Sequence, residues 1–300
     1  MTVETTQPSM NLPTVEMMRA ELRRRLEEAG VDSAAQECWW ILERALGLST
    51  ARQLADADRS LTEVELGRVN ELAARRAARV PLQYLLGTQE FCGLEFEVDR
   101  SVLIPRPETE LLVREIVRRR SRVANPLIVD VGTGSGCIAI SLAQVLPGAK
   151  LYAIDLSAAA LATAKKNASR HGVADAITWL EGDLLTPLAG SGLAGRVDVL
   201  VSNPPYIALS EWSSLQPEVR LYEPRMALVA GPRGTELHER LSCEAIPFLS
   251  PGGLLAMELG QGQHEEVVER IGAMPEYRWA EVIRDDAGIE RVIIAERNRP

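Results

Sequence analysis

Aromatic side chains are scarce. Phe, Trp and Tyr make up 4% of the 300 residues, so a core has to be built mainly from Leu, Val, Ile and Ala. The four cysteines, Cys38, Cys92, Cys137 and Cys243, lie far apart and form no CxxC pair. The three histidines, His171, His238 and His264, fall in no zinc-finger or HExxH spacing, so no metal site is expected. No apolar run approaches the roughly 18 residues that cross a bilayer. The first eleven residues are acidic and polar, unlike a secretory leader. A cytoplasmic protein with reduced thiols and no membrane association is expected. Basic charge is also short: 33 Lys and Arg stand against 42 Asp and Glu, a net charge of −9. A sequence-indifferent nucleic-acid binder would ordinarily be basic, so direct nucleic-acid binding is not expected, although a local basic patch stays compatible with the balance.

What remains is ordinary globular composition, 46% hydrophobic and 25% charged with 22 Gly and 17 Pro, too apolar for disorder and too varied for a coiled coil. The length suggests about two domains. Residues 1–85 read as a small helical bundle. Thr14 caps a segment with Val15, Met18, Leu22 and Leu26 on one face, ending at Gly30. Ser33 to Gln36 and Thr62 to Glu65 are both capping-box patterns, and the helix after Thr62 is expected to reach Arg79. At least one of Trp39 and Trp40 is expected in the bundle core. Residues 86–106 read as a linker with a short hairpin around Gly93, closed by Pro105-Arg106-Pro107, after which Thr109 is a plausible cap for a helix through Arg120. Residues 107–300 form the α/β domain. Strands at 127–131, 150–155, 177–180, 197–202 and 253–258 alternate with helical segments, implying a largely parallel sheet, and a terminal antiparallel hairpin follows at 278–284 and 289–295. Arg118, Arg119, Arg120 and Arg122 read as a solvated helix end, where cations offset the dipole.

The strongest ligand signal is Asp130-Val131-Gly132-Thr133-Gly134-Ser135-Gly136, after an apolar strand and before a helical run. Glycines allow positive φ and close backbone approach, and the helix start offers unpaired N–H groups. A P-loop would end in Gly-Lys-Ser/Thr, and the dinucleotide fingerprint would place Gly where Cys137 stands. The GxGxG spacing resembles that of methyltransferases using S-adenosylmethionine. Asp155 ends the next strand, 23 residues after Gly132, where a carboxylate can accept from ribose hydroxyls. Asp183, one strand later, could meet the adenine edge, although such an Asp is often a plain turn residue.

Residues 197–202 run into Asn203-Pro204-Pro205-Tyr206. Alone the tetrapeptide is compatible with a turn. At a strand end downstream of the glycine loop it points to catalysis. Two prolines stiffen the backbone and remove N–H donors while keeping their carbonyls. The Asn203 amide oxygen and the Pro204 carbonyl can hold the two hydrogens of a planar –NH2 group, and Tyr206 offers a flat face for the developing cation.

The chain resembles the protein-(glutamine-N5) methyltransferases of peptide-chain release factors, the PrmC/HemK family. The matching stretches include Pro81 to Gly87, Val102-Leu-Ile-Pro-Arg-Pro-Glu-Thr-Glu110, Asp130 to Gly136, Val201 to Ile207, Glu223-Pro224, Gly252-Gly253, Glu258 and Gly260. The resemblance implies a Rossmann-like class I methyltransferase domain with a small N-terminal helical bundle that receives the protein partner, and a connecting β-hairpin. It implies S-adenosylmethionine held by Gly132, Thr133, Gly134, Ser135, Gly136, Asp155, Asp183, Leu184 and Asn203, with S-adenosylhomocysteine as product. It also implies that Asn203, Pro204, Pro205 and Tyr206 cradle the glutamine amide of the release factor's Gly-Gly-Gln motif. Leu184 departs from the aromatic that relatives often place beside the adenine. The roles of Arg106, Glu108 and Glu110 stay open. Alternatives are a ribosomal-protein glutamine methyltransferase, a DNA or RNA amino-methyltransferase using the same cradle, and a non-catalytic S-adenosylmethionine binder.

Overall fold

The structure, a computed structural model, describes residues 12–299 and divides into two compact units after Leu86. The polar start at residues 1–11 lies outside the described residues.

The first unit is helical: α1 (Val15–Glu28), α2 (Ala34–Leu46), α3 (Thr50–Ala55), α4 (Glu63–Ala77) and α5 (Leu82–Leu86). Val15, Met18, Leu22 and Leu26 of α1 meet Ile41 and Leu42 of α2 and Val69 and Ala73 of α4 in one core. Thr14 accepts from the Met17 N–H, and Thr62 and Glu65 close a full capping box. Ser33 does not close one. Its backbone leaves the extended region, and its hydroxyl donates to Glu37 instead, at 2.8 Å. The helix expected to reach Arg79 ends at Ala77, because Arg79 turns left-handed at φ 68°. That turn brings its guanidinium to the Ala29 and Gly30 carbonyls beyond α1, where a cation complements the helix end. Trp39 is half-buried against the core with Arg19 stacked on its ring at 3.9 Å, whereas Trp40 is exposed.

The second unit begins with the hairpin β1 (Thr88–Phe91) and β2 (Leu94–Glu97), whose two-residue turn places Cys92 at φ 51° and Gly93 at φ 73°. Then follow α6 (Glu110–Arg120), β3 (Leu127–Val131), α7 (Cys137–Val145), β4 (Lys150–Asp155), α8 (Ala158–Arg170), β5 (Ile177–Glu181), β6 (Val197–Ser202), β7 (Ile207–Ala208), α9 (Pro217–Tyr222), β8 (Val229–Gly231), α10 (Glu236–Ala245), β9 (Leu249–Glu258), α11 (His264–Gly272), β10 (Tyr277–Arg284) and β11 (Glu290–Arg297). Seven strands form one sheet in the order β10-β11-β9-β6-β3-β4-β5, parallel from β9 to β5 and antiparallel at β11 and β10. β3 and β6 are apolar almost throughout because both faces are covered. Ile128, Val199 and Val201 face α6, α7 and the hairpin's Phe91 and Phe96, while Val129, Val131 and Leu200 face α10 and α11. The chain leaves β3 toward β4 and β5 but returns through β6 on the other side. The carboxyl ends of β3 and β6 therefore flank the switch point where open α/β sheets bind ligands. The Ser202 hydroxyl donates to the Val131 carbonyl at 2.6 Å and ties those two ends together. The arginines at the end of α6 are engaged within this unit: Arg118 on Glu115, Arg119 on Glu281 and Arg120 on the Gly252 carbonyl.

In the helical unit Arg76 meets Glu37 through two bonds at 2.5 and 3.2 Å, with side chains 5% and 7% exposed. Removing one partner strands the other charge in an apolar core, at about 3–5 kcal/mol. R76M should lose stability of that order in urea unfolding, and the double variant E37L/R76M should recover most of it. A double variant no more stable than R76M would show that lost packing, not a stranded charge, sets the cost.

Candidate active site

After β3 the backbone reverses through Gly132 (φ 72°), Gly134 (φ 55°) and Gly136 (φ 82°). The Gly132 and Thr133 N–H groups both donate to the Ile154 carbonyl of β4, at 2.8 and 3.0 Å. At Gly136 a Cβ would meet Ile140 Cδ1 at 2.9 Å and Ala164 Cβ at 3.1 Å, so both φ and space require glycine there. Asp130 lies fully buried beneath the loop. Its Oδ2 accepts from the Thr133 hydroxyl at 2.6 Å and from the Ala139 N–H at 3.2 Å, while Oδ1 has no partner. Desolvation pushes this carboxyl up to about 7. One N–H at the start of α7, that of Ala139, is thus already engaged by an internal carboxyl.

A cleft of about 890 Å³, counting space open to solvent, lies over the ends of β3, β4 and β6. Gly132, Gly134, Asp155, Asp183, Leu184 and Asn203 border it. Thr133, Ser135 and Gly136 support the loop from behind: Thr133 bonds Asp130, and Ser135 gives its carbonyl to Asn167 Nδ2 at 2.9 Å. Asp155 accepts from the Gly134 N–H at 2.8 Å and the Ser157 N–H at 2.9 Å, and burial raises its carboxyl above the usual range. Asp183 turns outward to Arg240 at 2.8 Å, and Leu184 takes a left-handed backbone at φ 46°.

A second cavity opens on the far side of Asn203, walled by Leu103, Arg106, Pro204, Tyr206 and Ala227. Leu103, Asn203 and Ala227 border both cavities, so Asn203 stands where they meet. Pro205 lines the first cavity, and Pro204 and Tyr206 line the second. Asn203 Nδ2 donates to Thr109 Oγ1 at 3.0 Å, and Thr109 donates to Glu258 Oε2 at 2.6 Å. The Tyr206 hydroxyl reaches Glu258 Oε1 at a long 3.4 Å, and the Tyr206 carbonyl accepts from Gln263 Nε2 at 2.8 Å. Burial pushes Glu258 up to about 7, against the pull of the Thr109 hydrogen bond and Arg291. Burial, with Glu258 beside it, also holds the Tyr206 phenol above its ordinary range.

The Pro105–Glu110 segment has an assignable structural role. Arg106 pairs with the buried Glu223 at 2.5 Å, and Glu223 also accepts from the Ile104 N–H at 3.1 Å. Glu110 accepts from the Cys92 N–H in the hairpin turn at 2.7 Å. Thr109, expected as a helix cap, makes no cap bond: a short 3-10 turn over Pro107–Thr109 starts the helix and frees its hydroxyl for Glu258. Sequence reasoning assigned no role to Asp130, Glu223 or Glu258. An acidic residue inside or ending an apolar strand was the available signal for Asp130 and Glu258.

Two family models match the chain: the PrmC N-terminal domain over residues 18–87 and the methyltransferase small domain over residues 107–215. The release factor glutamine methyltransferase of Geobacter sulfurreducens is 44% identical over 90% of this chain and 92% of its own. That of Moorella thermoacetica is 42% identical over 95% of this chain and 99% of its own. Among solved structures, a methyltransferase from Pyrococcus furiosus superposes with a TM-score of 0.52 at 19% identity, covering 75% of this chain and 99% of that one. At that identity the match supports the fold alone, the Rossmann-like class I methyltransferase domain.

Asp130 generates a pH prediction. Its folded-state pKa lies above the ordinary carboxylate value, so between about pH 4 and 7 the folded chain keeps a proton that the unfolded chain has released. Its contribution to stability therefore falls as pH rises through that window. D130N carries no such proton, so its stability deficit against the unaltered chain should be smaller at pH 7.5 than at pH 5 in urea unfolding. An equal deficit at both values would contradict the assignment.

Proposed function

Because the chain belongs to the release factor glutamine methyltransferase family, we propose that it transfers a methyl group from S-adenosylmethionine to the side-chain amide nitrogen of the glutamine in a release factor's Gly-Gly-Gln motif. The observation that carries this reading is the position of Asn203, the shared wall of two cavities.

The larger cavity suits the cofactor. Gly132 and Gly134 present bare backbone, since a Cβ at either would meet nothing within 4 Å. Asp155 lies on the β4 side, where its carboxylate would accept from ribose hydroxyls, and Asp183 and Leu184 border the end assigned to the adenine. Leu156, Met226 and Leu237 add apolar wall. Thr133, Ser135 and Gly136 hold the loop in shape. When bound there, S-adenosylmethionine supplies an electrophilic methyl on a sulfonium and leaves as S-adenosylhomocysteine. No metal enters this reading.

The smaller cavity receives the glutamine side chain. The Asn203 amide oxygen and the Pro204 carbonyl accept its two N–H hydrogens and aim the nitrogen at the cofactor cavity. Pro204 and Pro205 have no N–H to compete for those acceptors and hold the backbone still. Tyr206 packs a flat face on the amide and on the positive charge that builds on nitrogen. The two acceptors favour that charge and stabilise the transition state more than the ground state. No base need act before transfer, since the methylated nitrogen is acidic and gives its proton to water afterwards. The helical unit, which leaves Met17, Trp40, Leu54 and Val64 exposed, is assigned to receiving the protein partner. Release factors work at the ribosome, so this reading places the enzyme in the cytoplasm.

The test incubates the chain and methyl-labelled cofactor with purified release factor, ribosomal protein or DNA in parallel. Label should enter the release factor and vanish when the Gly-Gly-Gln glutamine is replaced by alanine. N203A should lose about 100-fold or more in rate, roughly 3 kcal/mol of transition-state stabilisation, while calorimetry still shows cofactor binding. Full activity in N203A, or label in the release factor lacking that glutamine, would overturn the reading.

A further inference from the structure

A carboxamide side chain has two ends of nearly the same shape and opposite hydrogen-bonding character. Asn203 serves as an acceptor only with its oxygen toward the glutamine cavity. Turned over, it presents N–H to N–H and repels the substrate. Pro204 and Pro205 stiffen the backbone but leave this end-over-end choice open. The choice is made behind Asn203, where Nδ2 lies 3.0 Å from Thr109 Oγ1 and Thr109 Oγ1 lies 2.6 Å from Glu258 Oε2.

We propose that Glu258 and Thr109 are positioning residues for the transfer, a hydrogen-bond chain that holds the Asn203 amide with its oxygen toward the substrate. A hydroxyl has one hydrogen and two lone pairs. Glu258 takes that hydrogen, so Thr109 can only accept from Asn203, and only the –NH2 end satisfies it. The arrangement survives a proton on Glu258, because a proton on Oε1 leaves Oε2 an acceptor. Thr109 is 2% exposed and Glu258 1%, so water does not compete for either bond. The three residues come from three places, the turn before α6, the end of β6 and the end of β9. Glu258 thereby extends the ordering of the cradle to a strand that does not line it, and neither Thr109 nor Glu258 touches the reacting atoms.

The inference rests on the reading of Asn203 as the amide acceptor, and one readout is therefore independent of activity. The variants are T109V and T109A, which lack the hydroxyl, and T109S, which keeps it. With release factor as substrate, kcat should fall about 100-fold in T109V and T109A and stay within about threefold in T109S, with cofactor affinity unchanged in all three. Two hydroxyl-free variants are used so that a folding defect in one leaves the other to decide. In parallel, protein labelled with 15N-asparagine reports the Asn203 side-chain amide, identified by its loss in N203A. Its hydrogen exchange should be at least tenfold faster in T109V and T109A than in the unaltered chain and T109S. Equal kcat in T109A and the unaltered chain, a fall in T109S as deep as in T109A, or unchanged exchange would each overturn the proposal. If the unaltered chain methylates no release factor, the functional reading fails, while the exchange measurement still decides whether Thr109 orients Asn203.

Discussion

A side-chain amide nitrogen shares its lone pair with the neighbouring carbonyl, and an enzyme that methylates it has to supply geometry rather than a strong base. The acceptors must be stiff, and they must hold a fixed distance from the electrophile. On the proposed reading Asn203 meets the first need by leaving β6, whose residues Val199, Leu200 and Val201 are fully buried. The second is met one residue earlier, where the Ser202 hydroxyl joins the carboxyl end of β6 to that of β3 at 2.6 Å. The glycine loop and the amide cradle are thus cross-tied at their roots. The reaction geometry becomes a property of the sheet rather than of two independent loops.

Buried carboxyls hold the rest of the site in place. Asp130 secures the glycine loop, Glu258 the hydroxyl behind Asn203, and Glu223 joins Arg106 to the Ile104 backbone. Burying such groups costs free energy, as the upward shifts at Asp130 and Glu258 show. An apolar residue would cost less, but it cannot dictate which end of a neighbouring donor or amide faces it. These carboxyls therefore read as orienting devices, and the perturbed pair Asp130 and Glu258 is in keeping with the concentration of such groups at functional sites.

The legible part of this molecule is the contiguous part. The glycine loop, Asp155 at the next strand end and Asn203–Tyr206 are each recognisable as patterns within a few residues, and the alternation of apolar strands with helices brings them to the carboxyl ends of neighbouring strands, where they border shared cavities. The capping box at Thr62 is equally local and forms as its letters suggest. Thr109 carries a local signal too, and that signal misleads. A threonine before a helical run resembles a cap, but a short 3-10 turn starts the helix, and the hydroxyl is drawn to a carboxylate 149 residues away. Ser33 fails as a capping box for a similar reason, with Glu37 claiming its hydroxyl. Arg106 and Glu223 lie 117 residues apart, and Asn203 and Thr109 lie 94 apart. No spacing rule connects such pairs, because only the folded sheet brings them together.

A glycine loop between a strand and a helix is a frequent phosphate cradle, because a bare helix N-terminus carries partial positive charge. Here that charge is answered from inside. Asp130 accepts from Ala139 in the first turn of α7, so one of the donors there is already engaged. Asp155, facing the same cavity, accepts backbone N–H groups from Gly134 and Ser157. Asp183, which also borders the cavity, has its charge offset by Arg240. A cavity with Asp155 on its wall disfavours an anion and favours a ligand that carries positive charge and hydroxyl donors. A sulfonium joined to a ribose has both. A glycine turn between a strand and a helix serves phosphates in other folds under other spacings, and here the acidic residue on the cavity wall fits a ligand of the opposite charge.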